Sequence, residues 1–261
     1  MSVARPSSGD RPFIDRDPGI LPTMHARVTT VDNQGELVAA LGAPSALPRS
    51  IVLIGGADAA SADDLESLRA FFATLVQHLD ATGTAVVDGG TDSGVMRLIG
   101  AARDERGASF RLIGVTPRGA LDRPTRDGAP IVLSASHPEI LLVPGSQFGD
   151  ETEYLFGAAD HLAAGFAPTL VVNGGRLTLD EARLRMDAGH PVVVVAGSGR
   201  AADELAADQD LRASGRLRVV PLSANVEELA SAFTVASEEV ASEQETGVGA
   251  PSDGDSEGGE P

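Results

Sequence analysis

The sequence predicts an α/β fold, a Rossmann-like three-layer sandwich in which helices cover both faces of a mainly parallel central sheet. Two observations lead to this prediction. Short runs of β-branched residues alternate along the chain with amphipathic stretches of helical length. In addition, runs such as Val192–Val195 contain no polar residue, and strands without polar alternation are typical of parallel sheets that are buried on both faces.

The individual elements follow from this alternation. Segments that are short, apolar and rich in β-branched residues are predicted to be strands, and longer segments with a period of 3.6 are predicted to be helices. The predicted strands are Arg27–Val31, Ile51–Ile54, Ala85–Val87, Arg111–Val115, Ile131–Leu133, Ile140–Val143, Thr169–Val172, Val192–Val195 and Leu217–Val220. The predicted helices are Ala62–Leu79, Gly94–Arg106, Asp150–Ala164, Thr178–Ala188, Arg200–Ala207 and Val226–Phe233.

Composition divides the chain into three parts. Residues 1–22 are rich in Pro, Ser, Gly and charge, and residues 236–261 are rich in acidic residues, Ser and Gly. Residues 238–261 alone carry eight acidic side chains and no basic one. Segments with so little apolar surface cannot offset the entropy of ordering, so both ends are expected to be disordered. A single folded domain is expected over residues 23–235.

Composition also excludes several functions. The formal net charge of −18 argues against a nucleic-acid partner, since such binding depends on clustered basic side chains. The chain has no cysteine and no lysine, which excludes thiolate metal sites and lysine Schiff bases, and its histidines lack metal-ligand spacing. No apolar run approaches the roughly 20 residues of a membrane helix and no signal peptide is apparent, so a cytoplasmic location without membrane association is expected.

Four predicted strands end in glycine-rich turns, and each turn leads into a helix or a helical stretch. In a parallel sheet such turns project from the carboxyl edge, and those beside a topological switch point enclose the ligand crevice. Glycine lets backbone N–H groups approach an anion, and the following helix directs its positive dipole end to the same place. The turns are Gly55-Gly56-Ala57, Gly89-Gly90-Thr91-Asp92-Ser93-Gly94, Gly174-Gly175-Arg176-Leu177-Thr178 and Gly197-Ser198-Gly199-Arg200.

Several side chains in these turns are candidates for ligand contact. The hydroxyl groups of Thr91, Ser93, Thr178 and Ser198 are candidate donors, and Arg200 offers a planar fork that suits phosphate. The alternative for any single turn is that glycine only lets a helix pack close to a strand. Two acidic residues also have more than one interpretation. Asp203 either orients Arg200 or stabilises a helix start, and Glu181 is either a general base, a ribose-hydroxyl acceptor or a favourable first-turn carboxylate.

Three segments resemble the ligand-sensing SLOG domain at the N-terminus of TRPM cation channels, and in particular its stand-alone prokaryotic relatives. These segments are Val87–Met96, Ile113–Gly119 and Pro191–Asp203. The resemblance implies binding of ADP-ribose or a related NAD-derived nucleotide, with no further cofactor. It also adds Val95, Met96 and Phe148 to the expected ligand contacts, Phe148 as the best candidate to stack on an adenine.

The chain departs from its relatives at informative positions. The wider superfamily includes phosphoribohydrolases with the signature Pro-Gly-Gly-x-Gly-Thr-x-x-Glu, and here Asn173 replaces the proline and Leu177 the third glycine, while Glu181 keeps the glutamate. The Arg-Lys pair of those enzymes has no counterpart. In the channels, an arginine stands where this chain has Leu155. Arg97, Arg118 and Arg176 are the candidates to replace this missing cation.

Three functional hypotheses result from these patterns. The first is a nucleotide sensor that binds without catalysis, because the anion-binding turns lack a complete catalytic set. The second is a phosphoribohydrolase-like enzyme that cleaves the N-glycosidic bond of a nucleoside monophosphate through Glu181. The third is a binder of single-stranded DNA, which the acidic charge disfavours. The sequence leaves open whether the chain self-associates or acts on a protein effector.

Overall fold

A computed structural model describes residues 26–45, 49–57, 61–125 and 128–234. The two terminal segments that we expect to be disordered, residues 1–22 and 236–261, lie outside the described residues. The described chain alternates between strands and helices almost without interruption, as βαβ units require.

The centre of the fold is one eight-stranded sheet in which every strand pair is parallel. This confirms the predicted Rossmann-like α/β class, and the sheet is entirely rather than mainly parallel. The strands are β1 Arg27–Thr30, β2 Ser50–Gly56, β3 Ala85–Asp88, β4 Leu112–Pro117, β5 Glu139–Val143, β6 Thr169–Asn173, β7 Val192–Ala196 and β8 Leu217–Pro221. Strands β2, β3, β4 and β6 are buried over most of their length, whereas the edge strand β1 is largely exposed.

Helices connect most of the strands and cover both faces of the sheet. The helices are α1 Gln34–Leu41, α2 Ala62–Thr82, α3 Gly94–Arg106, α4 Thr152–Ala163, α5 Arg176–Asp187, α6 Arg200–Ala207 and α7 Gln209–Ala213, followed by α8 over residues 226–234. The predicted starts and ends agree with the structure at α3 and α6 and differ by up to three residues at α2, α4 and α5.

Three features differ from the sequence prediction. The segment Ile131–Leu133 is not a strand of the sheet, because it lies between Pro130 and the β5 strand and makes only an isolated antiparallel bridge from Leu133 to Thr91. Helices α1 and α7 were not predicted, since each is short. Helix α1 is fixed by Asn33, whose side chain accepts a hydrogen bond from the Glu36 amide.

The order of the strands in the sheet is β1-β5-β4-β3-β2-β6-β7-β8. The chain adds β3, β4 and β5 on one side of β2 and then returns to add β6, β7 and β8 on the other side. The topological switch point therefore lies between β2 and β6, where ligands bind in open α/β sheets. The strands β3, β2, β6 and β7, which precede the four glycine-rich turns, are consecutive neighbours around this point.

Two apolar cores lie on opposite faces of the sheet. Alternate residues of each buried strand point to each face, so Val52 and Ile54 belong to one core while Ile51 and Leu53 belong to the other. Helices α1, α4, α5 and α6 pack on the first face, and α2, α3 and α8 pack on the second. This arrangement forms the three layers that the sequence predicts.

A close backbone approach joins β4 to the turn that follows β3. A Cβ atom added to Gly114 would lie 2.4 Å from the Gly90 Cα atom, and one added to Gly90 would lie 2.7 Å from the Gly114 Cα atom. Real Cβ atoms cannot approach that closely, so glycine is required at both positions. Here the packing explanation of a Gly-Gly turn applies directly.

A buried polar cluster closes the opposite, amino edge of the sheet. Both terminal nitrogens of Arg185 donate to the Asp160 carboxylate at 2.9 Å, and the same guanidinium also contacts Thr169 and the ring face of Phe156. Burial lowers the pKa of the neighbouring His190. This cluster ties α4, α5 and β6 together at the edge away from the glycine-rich turns.

The glycine contact predicts a specific loss of stability. Gly114→Ala should lower the free energy of unfolding by roughly 1–3 kcal/mol, because the added methyl group overpacks the β4 backbone against Gly90. Gly165→Ala is the matched control, since a Cβ atom there meets nothing within 4 Å. Urea denaturation of both variants measures the difference. Equal stability of the two variants would contradict the contact.

Candidate functional site

The glycine-rich turns after β2, β3 and β6 meet at the switch point. A Cβ atom on Gly94, at the start of α3, would lie 3.1 Å from the Ala57 amide nitrogen and 3.3 Å from the Gly56 Cα atom. On the other side, a Cβ atom on Gly56 would lie 3.7 Å from the Gly174 Cα atom. Gly56 is therefore flanked by the turns of both neighbouring strands. We refer to the space outside the ends of β2 and β6 as the crevice.

The turn after β3 is held mainly by its own supports. The Gly90 amide donates to the Asp88 carboxylate at 2.8 Å, and the Asp92 amide donates to the Val132 carbonyl at 2.7 Å. Residues 130–134 thus cover this turn, and Thr91 beneath them is only 5% exposed. The amides of Gly90 and Asp92 are already used, so this turn offers fewer donors to an anion than its sequence predicts.

A buried pair that sequence reasoning missed fixes this covering segment. The Nε2 atom of His137 lies 2.8 and 3.0 Å from the two oxygens of Asp88, and both side chains are fully buried. The pair connects the β3 turn to the chain that leads into β5. Asp88 precedes the Gly-Gly pair and could have been identified locally, but no sequence signal links it to a histidine so distant along the chain.

The turns after β6 and β7 are joined by Asn173 and Ser198. The Asn173 side chain donates to the Ser198 carbonyl at 2.6 Å and accepts from the Gly174 amide at 2.7 Å. The Ser198 hydroxyl donates to the Val195 carbonyl at 2.6 Å. Its single proton is therefore occupied, which corrects the prediction that Ser198 donates to a ligand. Asn173 also adopts a φ of 55°, a conformation that asparagine tolerates better than most residues.

The amino terminus of α5 keeps donors available beside the crevice. The Gly175 amide donates to the Thr178 hydroxyl at 3.3 Å, and no side chain caps this helix end. Within the described residues, the first-turn amides of Arg176 and Leu177 have no acceptor. Unsatisfied amides at a helix start, together with the helix dipole, favour a bound anion.

Arg200 brings a cation to the same helix end. Its exposed guanidinium lies over the α5 start, with one terminal nitrogen 3.1 Å from the position of a Cβ atom on Gly175. No acidic side chain among the described residues pairs with it. Asp203 instead accepts from the Gly197 amide at 2.7 Å, and Glu204 pairs with Arg183. Of the two interpretations of Asp203, the structure supports the stabilising one, because its carboxylate accepts from the turn before α6 and does not pair with Arg200.

The three candidates to replace the missing cation all have acidic partners. Arg97 lies 3.9 Å from Asp92, Arg118 lies 2.6 Å from Asp32, and Arg176 lies 3.0 Å from Asp180. The position at which the channels carry the arginine is filled by Leu155, which is buried in the core against the sheet. Arg200, which is not one of these three, is thus the arginine near the crevice that no carboxylate neutralises within the described part of the chain.

Two buried carboxyl groups lie where α4 and α5 begin. The Thr152 hydroxyl donates to Glu181 at 2.8 Å, and the Gly149 amide donates to Glu151 at 2.7 Å. Burial, together with the nearby Glu151, raises the pKa of Glu181 to about 7. Burial also raises the pKa of Glu151. Glu181 lies within two turns of the α5 start. A carboxyl group with a pKa of about 7 changes its protonation state near neutral pH.

An apolar wall stands beside these polar groups. Phe148 is 45% exposed, and Leu177 is 41% exposed at the first turn of α5. A Cβ atom on Gly149 would lie 3.2 Å from a Leu177 methyl group, so Leu177 covers the glycine that follows Phe148. The two side chains give the crevice an apolar side next to its cation.

The structure separates the predicted ligand residues into two groups. Glycines and polar groups that border the crevice form the first group, and residues packed into the walls behind it form the second. The first group comprises Gly55, Gly56, Gly89, Phe148, Gly174, Gly175, Arg176, Thr178, Gly197, Gly199 and Arg200. The second comprises Ala57, Gly90, Thr91, Gly94, Val95 and Ser198, with Ser93 and Met96 only partly buried. The Val95 side chain is fully buried in the core, so only its backbone could contact a ligand.

The described chain has a second concave region away from the crevice. A cavity of about 460 Å³ lies at the far edge of the sheet between β8 and α8, lined among others by Pro221, Asn225 and Glu228. It does not adjoin the glycine-rich turns. The described residues contain no group of three His, Asp or Glu side chains placed to hold a metal ion. Among them, no helix is both long and apolar enough to cross a lipid bilayer.

The fold defines a Rossmann-like α/β domain. The family described as "SLOG in TRPM, prokaryote" matches residues 49–242, which is most of the chain, and the protein belongs to this family. The resemblance seen in the sequence is thereby confirmed. A comparison with curated proteins found no match.

Solved structures share the fold at low sequence identity. The molybdenum cofactor binding protein from the phototrophic bacterium Rippkaea orientalis is 16% identical with a TM-score of 0.50, over 73% of this chain and 98% of that protein. The X-ray structure of TM1055, a structural genomics target, is 20% identical with a TM-score of 0.49, over 70% of this chain and 96% of that one. The similarity to the first structure concerns the fold alone.

The buried carboxyl group predicts a pH-dependent stability. Because folding raises the pKa of Glu181 from 4.5 to about 7, its contribution is fully present below pH 4.5 and is lost as the pH rises through about 7. Glu181→Gln removes this loss. The variant should gain up to roughly 3 kcal/mol over the wild type between pH 5 and pH 8.5, as measured by urea denaturation.

Glu153→Gln is the matched control for this measurement, because Glu153 is an exposed carboxyl group on the same turn as Thr152. Its stability should follow the wild-type pH profile. If the profile of Glu181→Gln also ran parallel to that of the wild type, Glu181 would not carry the raised pKa.

Proposed function

We propose that this protein is a nucleotide sensor whose crevice binds ADP-ribose or a related NAD-derived nucleotide. The observation that supports this proposal most strongly is the exposed Arg200 guanidinium over Gly175, beside the uncapped start of α5. An arginine fork and free helix amides are together suited to a diphosphate. One structure with this fold is that of a molybdenum cofactor binding protein, so a small-molecule ligand is consistent with the fold.

The remaining parts of the ligand have counterparts around the same crevice. Phe148 offers an exposed ring on which a nucleobase can stack, and Leu177 extends the apolar surface beside it. The glycine turns at Gly56 and Gly174 let the backbone of the ligand-binding edge come close to a ribose or phosphate. A dinucleotide-like ligand would lie across the switch point, with its diphosphate at the α5 start.

A sensor must pass its signal on, either to a second copy of the chain or to another protein. We expect the bound nucleotide to change self-association or the affinity for a protein effector in the cytoplasm. Binding without chemistry suits this role, because the signal then follows the concentration of the nucleotide. Neither nucleic acid nor a membrane is expected as a partner, given the acidic charge of the chain.

A phosphoribohydrolase-like activity is the second candidate, and Glu181 is the observation that favours it. A carboxyl group with a pKa of about 7 can give and accept a proton near neutral pH, as a general acid or base must. Two observations count against hydrolysis: Glu181 is only 7% exposed, and its carboxyl group accepts a hydrogen bond from the Thr152 hydroxyl. The position of the third signature glycine is also filled by Leu177.

The role of Arg200 leads to a binding prediction. A hydrogen bond to a charged group contributes about 1.5–3 kcal/mol, so Arg200→Ala should weaken ADP-ribose binding by roughly 10- to 100-fold. Arg200→Lys should recover part of the loss, since an ammonium group lacks the planar fork. Arg200 has a φ of 52°, and all three residues share the strain of that conformation, so stability should change little. Calorimetric titration measures the affinities.

Arg69→Ala controls for the loss of one positive charge, because Arg69 is exposed on α2 in the opposite helix layer. It should bind ADP-ribose with wild-type affinity. Unchanged affinity in a folded Arg200→Ala variant would remove Arg200 from the site.

The two candidate functions are separated by a turnover experiment. The purified protein, incubated with AMP, NAD and ADP-ribose in separate reactions, should release neither base nor ribose phosphate, because Glu181 is buried beneath the α4 start. Chromatography of the reaction products is the measurement. Sustained release that Glu181→Gln abolishes would establish the hydrolase and refute the sensor.

A further inference from the structure

Two buried carboxyl groups, those of Glu151 and Glu181, lie near the starts of α4 and α5, beside the proposed phosphate position. Glu151 immediately precedes α4, and Glu181 lies one turn beyond Thr178 on α5. Their side chains are 6% and 7% exposed. Two buried acidic groups beside an anion site oppose the ligand whenever both are ionised.

The immediate surroundings of the pair provide little compensation for that charge. Glu181 has the Thr152 hydroxyl as a donor, and Glu151 has the Gly149 amide. Within the described chain, neither carboxyl group forms an ion pair. Asp150, the other acidic residue at the start of α4, directs its carboxylate to the Ser146 and Gln147 amides and adds further negative charge.

The elements packed against α5 bring one unpaired cation towards this end of the helix. Strands β2, β6 and β7 contribute no titratable side chain. Helix α6 contributes Arg200 above Gly175, while its Glu204 pairs with Arg183. On α5 itself, Arg176 pairs with Asp180. Burial is the main cause of the raised pKa of both Glu181 and Glu151, and the neighbouring acidic residues add to it.

We infer that binding of an anionic ligand at the start of α5 is coupled to the uptake of a proton by the Glu151–Glu181 pair. The inference depends on the proposed function, since it concerns the same site. A bound phosphate adds negative charge near a buried acid, so the protonated form of that acid becomes favoured. By reciprocity, protonation of the pair raises the affinity for the ligand by the same factor by which the bound ligand raises the affinity for the proton.

The direction of the effect with pH follows from this coupling. The raised pKa of Glu181 means that the free protein loses this proton near neutral pH. Below that pH range Glu181 is already protonated in the free protein, so ligand binding neither releases nor takes up a proton. Above it, binding must restore the proton, so affinity falls as the pH rises.

Calorimetric titration with ADP-ribose from pH 6 to pH 8.5 tests the coupling. ADP-ribose is a suitable probe because each of its two phosphates carries one ribose ester and one shared anhydride bond, which leaves a fixed charge in this range. For the wild type, binding should become roughly tenfold weaker across the range, within the usual size of a coupling between sites. At pH 8, the observed enthalpy should change with the ionisation enthalpy of the buffer, in the direction of proton uptake.

Two variants identify the group responsible. Glu181→Gln should bind with an affinity that is nearly independent of pH, and its enthalpy should no longer depend on the buffer. Glu153→Gln removes an exposed carboxylate from the same corner and should keep the wild-type pH dependence. Wild-type binding without proton uptake, or uptake that persists in Glu181→Gln, would overturn the inference and leave the proposed function intact.

A second measurement applies if ADP-ribose does not bind, a result that would count against the proposed function itself. Carbon-13 NMR of the glutamate carboxyl groups, with Glu181 assigned from Glu181→Gln, follows its titration with and without inorganic sulfate. Sulfate carries a fixed charge over this range. A higher titration midpoint with sulfate, absent in Arg200→Ala, supports the coupling, and an unchanged midpoint in the wild type refutes it.

Discussion

The close approach of three neighbouring parallel strand ends, those of β3, β2 and β6, is the constraint on which the rest of this structure depends. At the switch point the backbone of β2 passes so near to β6 that a Cβ atom on Gly55 would lie 2.0 Å from the Val172 carbonyl oxygen. Gly94 then packs against Gly56 from the other side. Because no side chain fills this junction, the turns after β3, β2 and β6 border one crevice, and two helix starts face it.

This arrangement divides the glycines and hydroxyl groups between support and recognition. The turn after β3 is braced by Asp88 and His137, and the turn after β7 is braced by Asn173 and Ser198. The bracing consumes donors that a simpler site would present to its ligand. It also holds the start of α5 in place before a ligand arrives, which lowers the entropy lost on binding.

The sequence allowed the fold to be predicted because its signals are local. Each buried strand is a continuous apolar run, and each glycine turn stands directly after one. The site was harder to predict, since its details depend on contacts across the chain. No local pattern links His137 to Asp88, 49 residues away. Likewise, the run Ile131–Leu133 has the composition of a strand, but the sheet has no free position beside β4.

The central claim is that the ligand lies at the switch point. Amide NMR of the labelled protein, titrated with ADP-ribose, tests it most directly, because every described turn contributes its own signals. The account predicts that the largest shifts occur at Gly56, Gly175, Leu177 and Arg200. Shifts concentrated instead around Asn225, in the cavity between β8 and α8, would place the ligand at the other edge of the sheet and contradict the account.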